Sequence, residues 1–124
     1  MSLNTDTVRA IGIFKTRQEY TTAEIDKNLP AVIEHIKKIP VVQSNLTKYE
    51  VSYKAEKLPT TLAKDLGLKD TEFTTVVIVE GKSHEKIREA LTHPDYLTVI
   101  KGSLDQVTTI DDFHFFAAEF ATII

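Results

Sequence analysis

The sequence predicts an α+β sandwich: one four-stranded antiparallel sheet with helices on a single face, in the order strand, helix, strand, strand, helix, strand. Three observations predict it. Apolar patterns alternate in that order between short strand-like runs and helical spacing. The two halves share one plan, strand-helix-strand, and two such units build the ferredoxin-like sandwich. The final strand carries large apolar side chains on both faces, in Phe113, His114, Phe115, Phe116, Ala117, Ala118, Glu119 and Phe120. Both of its faces should therefore be covered. The helices cover one. The simplest cover for the other is a second copy of the chain, so a homodimer is expected, its two sheets pairing into a dimeric α+β barrel with an internal cavity. Right-handed crossovers place the first and third strands centrally and the second and fourth outside.

Each element has its own signal. Val8 to Phe14 is a short apolar run and reads as a buried strand. Ile25, Leu29, Val32, Ile33, Ile36 and Ile39 then recur at helical spacing, with Thr21 or Thr22 as a cap and Pro40 where the helix must stop. Pro30 inside that stripe predicts a kink or a separate first turn. From Leu46 to Tyr53, Thr47, Tyr49, Val51 and Tyr53 fall on one face and Lys48, Glu50, Ser52 and Lys54 on the other, the pattern of an edge strand. Ala55 to Glu72 is a long connection in which Thr61 to Leu66 forms a short helix closed by Gly67. Phe73 to Val79 is β-branched and apolar, and Gly81 ends it. Ser83 caps a second helix with Glu85 in its first turn; Ile87, Ala90 and Leu91 give its buried face. His93-Pro94 interrupts it. Leu97, Ile100, Leu104 and Val107 continue at helical spacing, with Gly102 as the expected stop. The last strand runs from about Asp112 to Ala121.

Composition narrows the classes of function. A chain of 124 residues is one domain spanning 1–124. A net charge of −3, with lysines interspersed among acids, argues against nucleic acid. No apolar run approaches the roughly 20 residues that span a bilayer, so no membrane partner is expected. Met1 to Asp6 lacks the basic start and apolar core of a signal peptide. The chain has no cysteine, which excludes disulfides, thiolate metal sites and cysteine nucleophiles and fits a reducing, cytoplasmic setting. Asn45-Leu46-Thr47 matches a glycosylation sequon and is read as chance. The four histidines are scattered, Asp111-Asp112 is a lone acidic pair, and no metal is expected. There is no nucleophile elbow and no phosphate-cradling glycine loop.

The candidate residues each have a functional and a plainer reading. Asn28 and His35 are seven residues apart, two turns on one helix flank, facing either a cavity mouth or solvent. Tyr49 and Tyr53 share a strand face, where their hydroxyls orient a ligand or simply fill an edge. Tyr20 either closes over the cavity or staples the start of the first helix. His114 shares a face with Phe116, Ala118 and Phe120, as a base in a cavity or as a buried, satisfied imidazole. Arg9 and Glu119 lie on strands expected to be neighbours, as an ion pair or as ligand contacts.

The stretch Asp26-Lys27-Asn28-Leu29-Pro30-Ala31-Val32-Ile33-Glu34-His35-Ile36-Lys37-Lys38-Ile39-Pro40, followed by Lys48-Tyr49-Glu50, resembles the first helix and second strand of EthD-domain proteins, particularly fungal ones. The family pattern is His-x-Pro-Leu-Val, then Leu-Pro or Ile-Pro, then a tyrosine opening the next strand. Leu29-Pro30-Ala31-Val32 holds its middle, Ile39-Pro40 the next part and Tyr49 the last. Asn28 stands where the family has histidine. A histidine there would be the natural general base, and an asparagine cannot take up a proton. The resemblance implies a dimeric α+β barrel that binds a small apolar or aromatic molecule without a cofactor. It also implies an association with oxygenation, cyclisation, dehydration or decarboxylation of aromatic and polyketide-like compounds. Tyr49, Asn28 and His114 would then orient a carbonyl or phenol, with Phe116 and Phe120 as an apolar wall. The alternative is a non-catalytic binding or stress-type barrel.

Overall fold

The computed structural model describes residues 3, 6–15, 22–52, 61–104 and 113–124. Tyr20, Tyr53, Val107 and Asp111-Asp112 lie outside the described residues, as do the side chains of Ile25, Leu29 and Leu104. The elements run β1 (Val8–Phe14), α1 (Thr22–Lys37), α2 (Pro40–Asn45), β2 (Leu46–Val51), α3 (Leu62–Asp65), β3 (Thr75–Gly81), α4 (His84–Thr92), α5 (Pro94–Leu104) and β4 (Phe113–Ala118). The strands form one antiparallel sheet in the order β2-β3-β1-β4, with β3 and β1 central. This is the ferredoxin-like α+β sandwich that the chain's two strand-helix-strand halves predict.

Pairing register decides which side chains share a face. Ala10, Gly12 and Phe14 stand opposite Val79, Val77 and Thr75 on one side and Ala117, Phe115 and Phe113 on the other. Phe115 and Ala117 on the edge strand β4 are exposed, whereas the β1 and β3 members of this set and Phe113 lie toward the helices. Phe14, Val77 and Val79 are buried there with Ile87 of α4, and Ile33, Leu91 and Ile100 pack against them. A second cluster joins Val32 and Ile36 of α1 to Ile39, Val42 of α2 and Tyr96 of α5. The remaining set, Ile11 and Ile13 with Val76, Ile78, His114 and Phe116, lies on the opposite face. Among the described residues no helix packs on that face, and Phe116 is 52% exposed.

Several boundaries differ from the sequence expectation for physical reasons. α1 is one continuous helix through Pro30, which sits on its exposed side, where water can satisfy the carbonyl that the ring leaves unbonded. Pro40 does not merely end α1. It occupies the first turn of α2, where a missing N–H costs nothing, after an extended Ile39. α5 runs through Gly102 to Leu104 rather than stopping at the glycine. β3 starts at Thr75 rather than Phe73. β4 is shorter at both ends than expected. α3 closes as expected on Gly67, whose φ of +72° suits glycine. Ser83 caps α4 by accepting from the Lys86 N–H at 3.2 Å.

Two close approaches fix the packing, one between adjacent strands and one between the α2–β2 junction and α4. The Phe115 ring lies over Gly12, where a Cβ would come within 2.6 Å of it, so only glycine fits under that ring. Phe14, Phe113 and Phe115 continue as a stacked ladder, with centroids 5.1 and 5.7 Å apart. Asn45 is buried and donates from Nδ2 to the Lys86 carbonyl at 3.0 Å, pinning the α2–β2 junction to α4. Its amide is thus used internally, which is consistent with the sequon being a chance match.

Candidate functional site

α1, α2 and the edge strand β2 enclose an open cleft of about 300 Å³. Its apolar wall is Ile33, Ile36, Val42, Leu46 and Tyr49; Lys37 and Gln43 supply polar groups. Local structure explains the wall. Ile33 and Ile36 belong to the core stripe of α1, and Tyr49 points inward because β2 alternates. Gln43 Nε2 donates to the Lys37 carbonyl at 2.8 Å, which satisfies part of the α1 C-terminus and holds α2 against it.

Tyr49 packs against both core clusters, and its hydroxyl lies 3.1 Å from that of Tyr96. Burial pushes the Tyr49 pKa well above the usual phenol value, and the neighbouring Tyr96 adds to the rise. Burial also raises Tyr96, partly offset by its hydrogen bond with Tyr49. Both hydroxyls therefore stay protonated at neutral pH. They serve as neutral donors and acceptors and not as bases.

Tyr96 was not visible as a site residue in the sequence. Continuing the α4 pattern through the break predicted Leu97 on the buried stripe. Instead Leu97 is 38% exposed and Tyr96 8%. His93-Pro94 resets the helical phase. His93 is extended, as the residue before a proline should be, and its Nδ1 accepts from the Asp95 N–H at 3.1 Å to start α5 afresh.

A polar cluster lies on the open sheet face. Arg9 Nε donates to Glu80 Oε2 at 3.1 Å, and its guanidinium sits 4.3 Å from the centroid of Phe120. The expected partner of Arg9 was Glu119; register corrects this, since Arg9 stands directly opposite Glu80 and Ala118. Thr47 Oγ1 donates to Glu80 Oε1 at 2.9 Å. That hydrogen bond, followed by Arg9 and Lys48, holds the Glu80 carboxyl below its usual pKa against the opposing effect of burial.

The other sequence candidates are spread over the molecule. His114 is on the open face, edge-on to Phe73 at 5.3 Å, beside the exposed Phe116. His35 is exposed on α1, in the helix layer across the sheet from His114, so the two histidines do not share a site. Asn28 is half-buried on the same helix. A residue the sequence did not flag is Thr75. It is 1% exposed, and among the described residues its Oγ1 has no partner. Among the described residues no cluster of His, Asp or Glu could hold a metal, and no helix is long and apolar enough to cross a membrane.

No protein-family model matches the chain, and no curated protein matches it. Solved structures do. A dimeric protein of unknown function with a ferredoxin-like fold from Bacteroides fragilis aligns with a TM-score of 0.66 and 18% identity, covering 96% of this chain and 100% of that one. A hydroxynitrile lyase from Passiflora edulis aligns with a TM-score of 0.65 and 12% identity, covering 98% and 99%. An EthD family protein from Bacillus halodurans aligns with a TM-score of 0.62 and 14% identity, covering 93% and 99%. At these identities the likeness is one of architecture: the chain has a ferredoxin-like α+β fold.

Proposed function

We propose that the protein is a homodimer, its open sheet faces paired into a barrel, that binds a small apolar or aromatic molecule in the cleft between α1, α2 and β2. The observation that carries the binding is that cleft, about 300 Å³ walled by Ile33, Ile36, Val42, Leu46 and Tyr49. That volume holds on the order of ten water-sized groups at about 30 Å³ each, which suits a single aromatic ring with a short substituent. The homodimer is supported by the uncovered apolar face and by the dimeric Bacteroides fragilis neighbour. Binding needs no cofactor in this reading.

A second reading adds turnover, as in the EthD-type chemistry that the motif around Asn28 suggests. The lyase among the structural neighbours favours it, and so does His114, which sheet pairing would enclose beside Phe116. In the cleft wall Tyr49 favours binding over acid-base chemistry, because its hydroxyl and that of its partner Tyr96 both remain neutral. Native mass spectrometry of the protein purified from its own source tests the proposal. A dimer carrying an extra small mass is expected. A monomer that takes up none of a panel of substituted benzenes and naphthalenes would overturn it. Release of the carried molecule chemically changed on incubation would decide for turnover.

A further inference from the structure

We propose that the cleft takes an N-acylated α-amino acid, whose own N–H and carboxylate close one rung against the unpaired backbone of Tyr49 while its apolar part lies on the Ile33, Ile36 and Val42 wall. The inference rests on the binding proposed for that cleft and names its ligand class. Ladder phase decides which groups of β2 are free. Ser52 N–H donates to the Val76 carbonyl at 2.8 Å, one step beyond the paired Val51 and Val77. Backbone groups alternate in direction along an antiparallel strand. Those of Glu50 and Lys48 therefore turn to Ile78 and Glu80 of β3. Those of Tyr49 and Val51 turn outward, because β2 is an edge of the sheet. Among the described residues no group bonds the Tyr49 backbone N–H or carbonyl.

The cleft lies along that free edge. Lys48 and Tyr49 are adjacent and point to opposite faces of the sheet, yet both line the cleft, as residues do when a cleft flanks the outer edge of their strand. Val51, the other outward residue, does not line it. In an antiparallel ladder such an outward N–H and C=O pair with the C=O and N–H of one facing residue. An N-acylated α-amino acid carries that complement. Its amide N–H donates to the Tyr49 carbonyl, and a carboxylate oxygen accepts from the Tyr49 N–H. Charge agrees with an anion. The charged residues lining the cleft are Lys37 and Lys48, and no acid lines it. Lys48 Nζ already lies 3.6 Å from Glu50. Among the described residues no acid pairs with Lys37, which leaves its ammonium for the carboxylate. A free amino group would set a second cation beside Lys37; acylation removes that charge and supplies the apolar part. A neutral hydrocarbon would use neither the Tyr49 backbone nor Lys37.

NMR titration of the full chain with N-benzoylglycine tests this, beside two analogues of nearly the same shape. O-benzoylglycolate has an ester oxygen in place of the N–H and should bind about fivefold more weakly, the worth of one hydrogen bond. N-benzoylglycinamide keeps the rung and loses the charge, and should bind about two- to fivefold more weakly, the range of an exposed ion pair. Lys37→Gln changes an exposed side chain and keeps the carbonyl that Gln43 bonds, so the fold should persist. It should erase the preference for carboxylate over carboxamide and leave the carboxamide's affinity unchanged. Solvent exchange of the Tyr49 amide should slow when N-benzoylglycine binds, while that of Val51 should not. Equal affinity for amide and ester, or a Tyr49 amide whose exchange is unmoved, overturns the rung. A carboxylate preference that survives Lys37→Gln overturns the role of Lys37. Substituted benzenes that bind the cleft as tightly as N-benzoylglycine overturn the ligand class and leave the cleft standing as a binding site. Binding of neither overturns both.

Discussion

Removing either hydroxyl of the Tyr49–Tyr96 pair isolates the other. The two oxygens are 3.1 Å apart, and burial raises both pKa values, so each hydroxyl depends on its partner in place of water. Tyr96→Phe leaves Tyr49 with an unpaired interior hydroxyl, which costs about 1–3 kcal/mol; Tyr49→Phe does the same to Tyr96. The double variant removes both polar atoms and keeps both rings. Its loss should be smaller than the sum of the single losses by about 1 kcal/mol or more. Urea unfolding of the four proteins, with equal m-values, reads this cycle. The pair also has a pH signature. Its folded pKa values lie above the 10.0 of a free phenol, so its stabilisation is complete below pH 10 and is lost as pH climbs through the folded values. The alkaline loss of stability should be gentler in the double variant. Additive single losses with an unchanged alkaline limb would refute the claim that the pair is desolvated and mutually dependent.

Two further outcomes follow from other buried or paired groups. Thr75→Val exchanges an unpartnered buried hydroxyl for a methyl of the same shape, so stability should rise by about 1 kcal/mol in thermal or urea unfolding; a loss of that size would mean the hydroxyl has a partner in solution. Glu80 has a folded pKa below its ordinary 4.5, so its contribution is present above that value and is lost as pH falls through it. Acid unfolding of Glu80→Gln should therefore be less steep below pH 4.5, and an identical acid limb would count against the Thr47 and Arg9 contacts as its cause.

Local chemistry was legible in the residues themselves. The bounds of β1 follow from its apolar run and those of α3 from Gly67, and the start of α4 follows from Ser83, because each depends on neighbours a few positions away. Pro40 stops α1 as expected but also opens α2, and Tyr96 was not singled out, for an equally local reason. A proline ends one helix and opens the next with the same fixed φ, and a new helix begins with a new phase. The candidate site was less legible. Tyr49 was singled out from its strand face, but its partner lies 47 positions away on an element whose phase the sequence left ambiguous.

By itself, the order of apolar periods determined the fold: two strand-helix-strand units, right-handed crossovers and a sheet too apolar for one layer of helices to cover. Only the tertiary structure decided which sheet face meets the helices, because β3 and β4 are apolar on both sides and strand period alone cannot choose between them. Register then made the remaining choices. It set Arg9 against Glu80 and left Ile11, Ile78 and Phe116 on the face without helices. Helix packing brought Tyr49 to Tyr96 beside the cleft. Pairings between residues 47 and 71 positions apart depend on how the layers stack, and no local pattern encodes them.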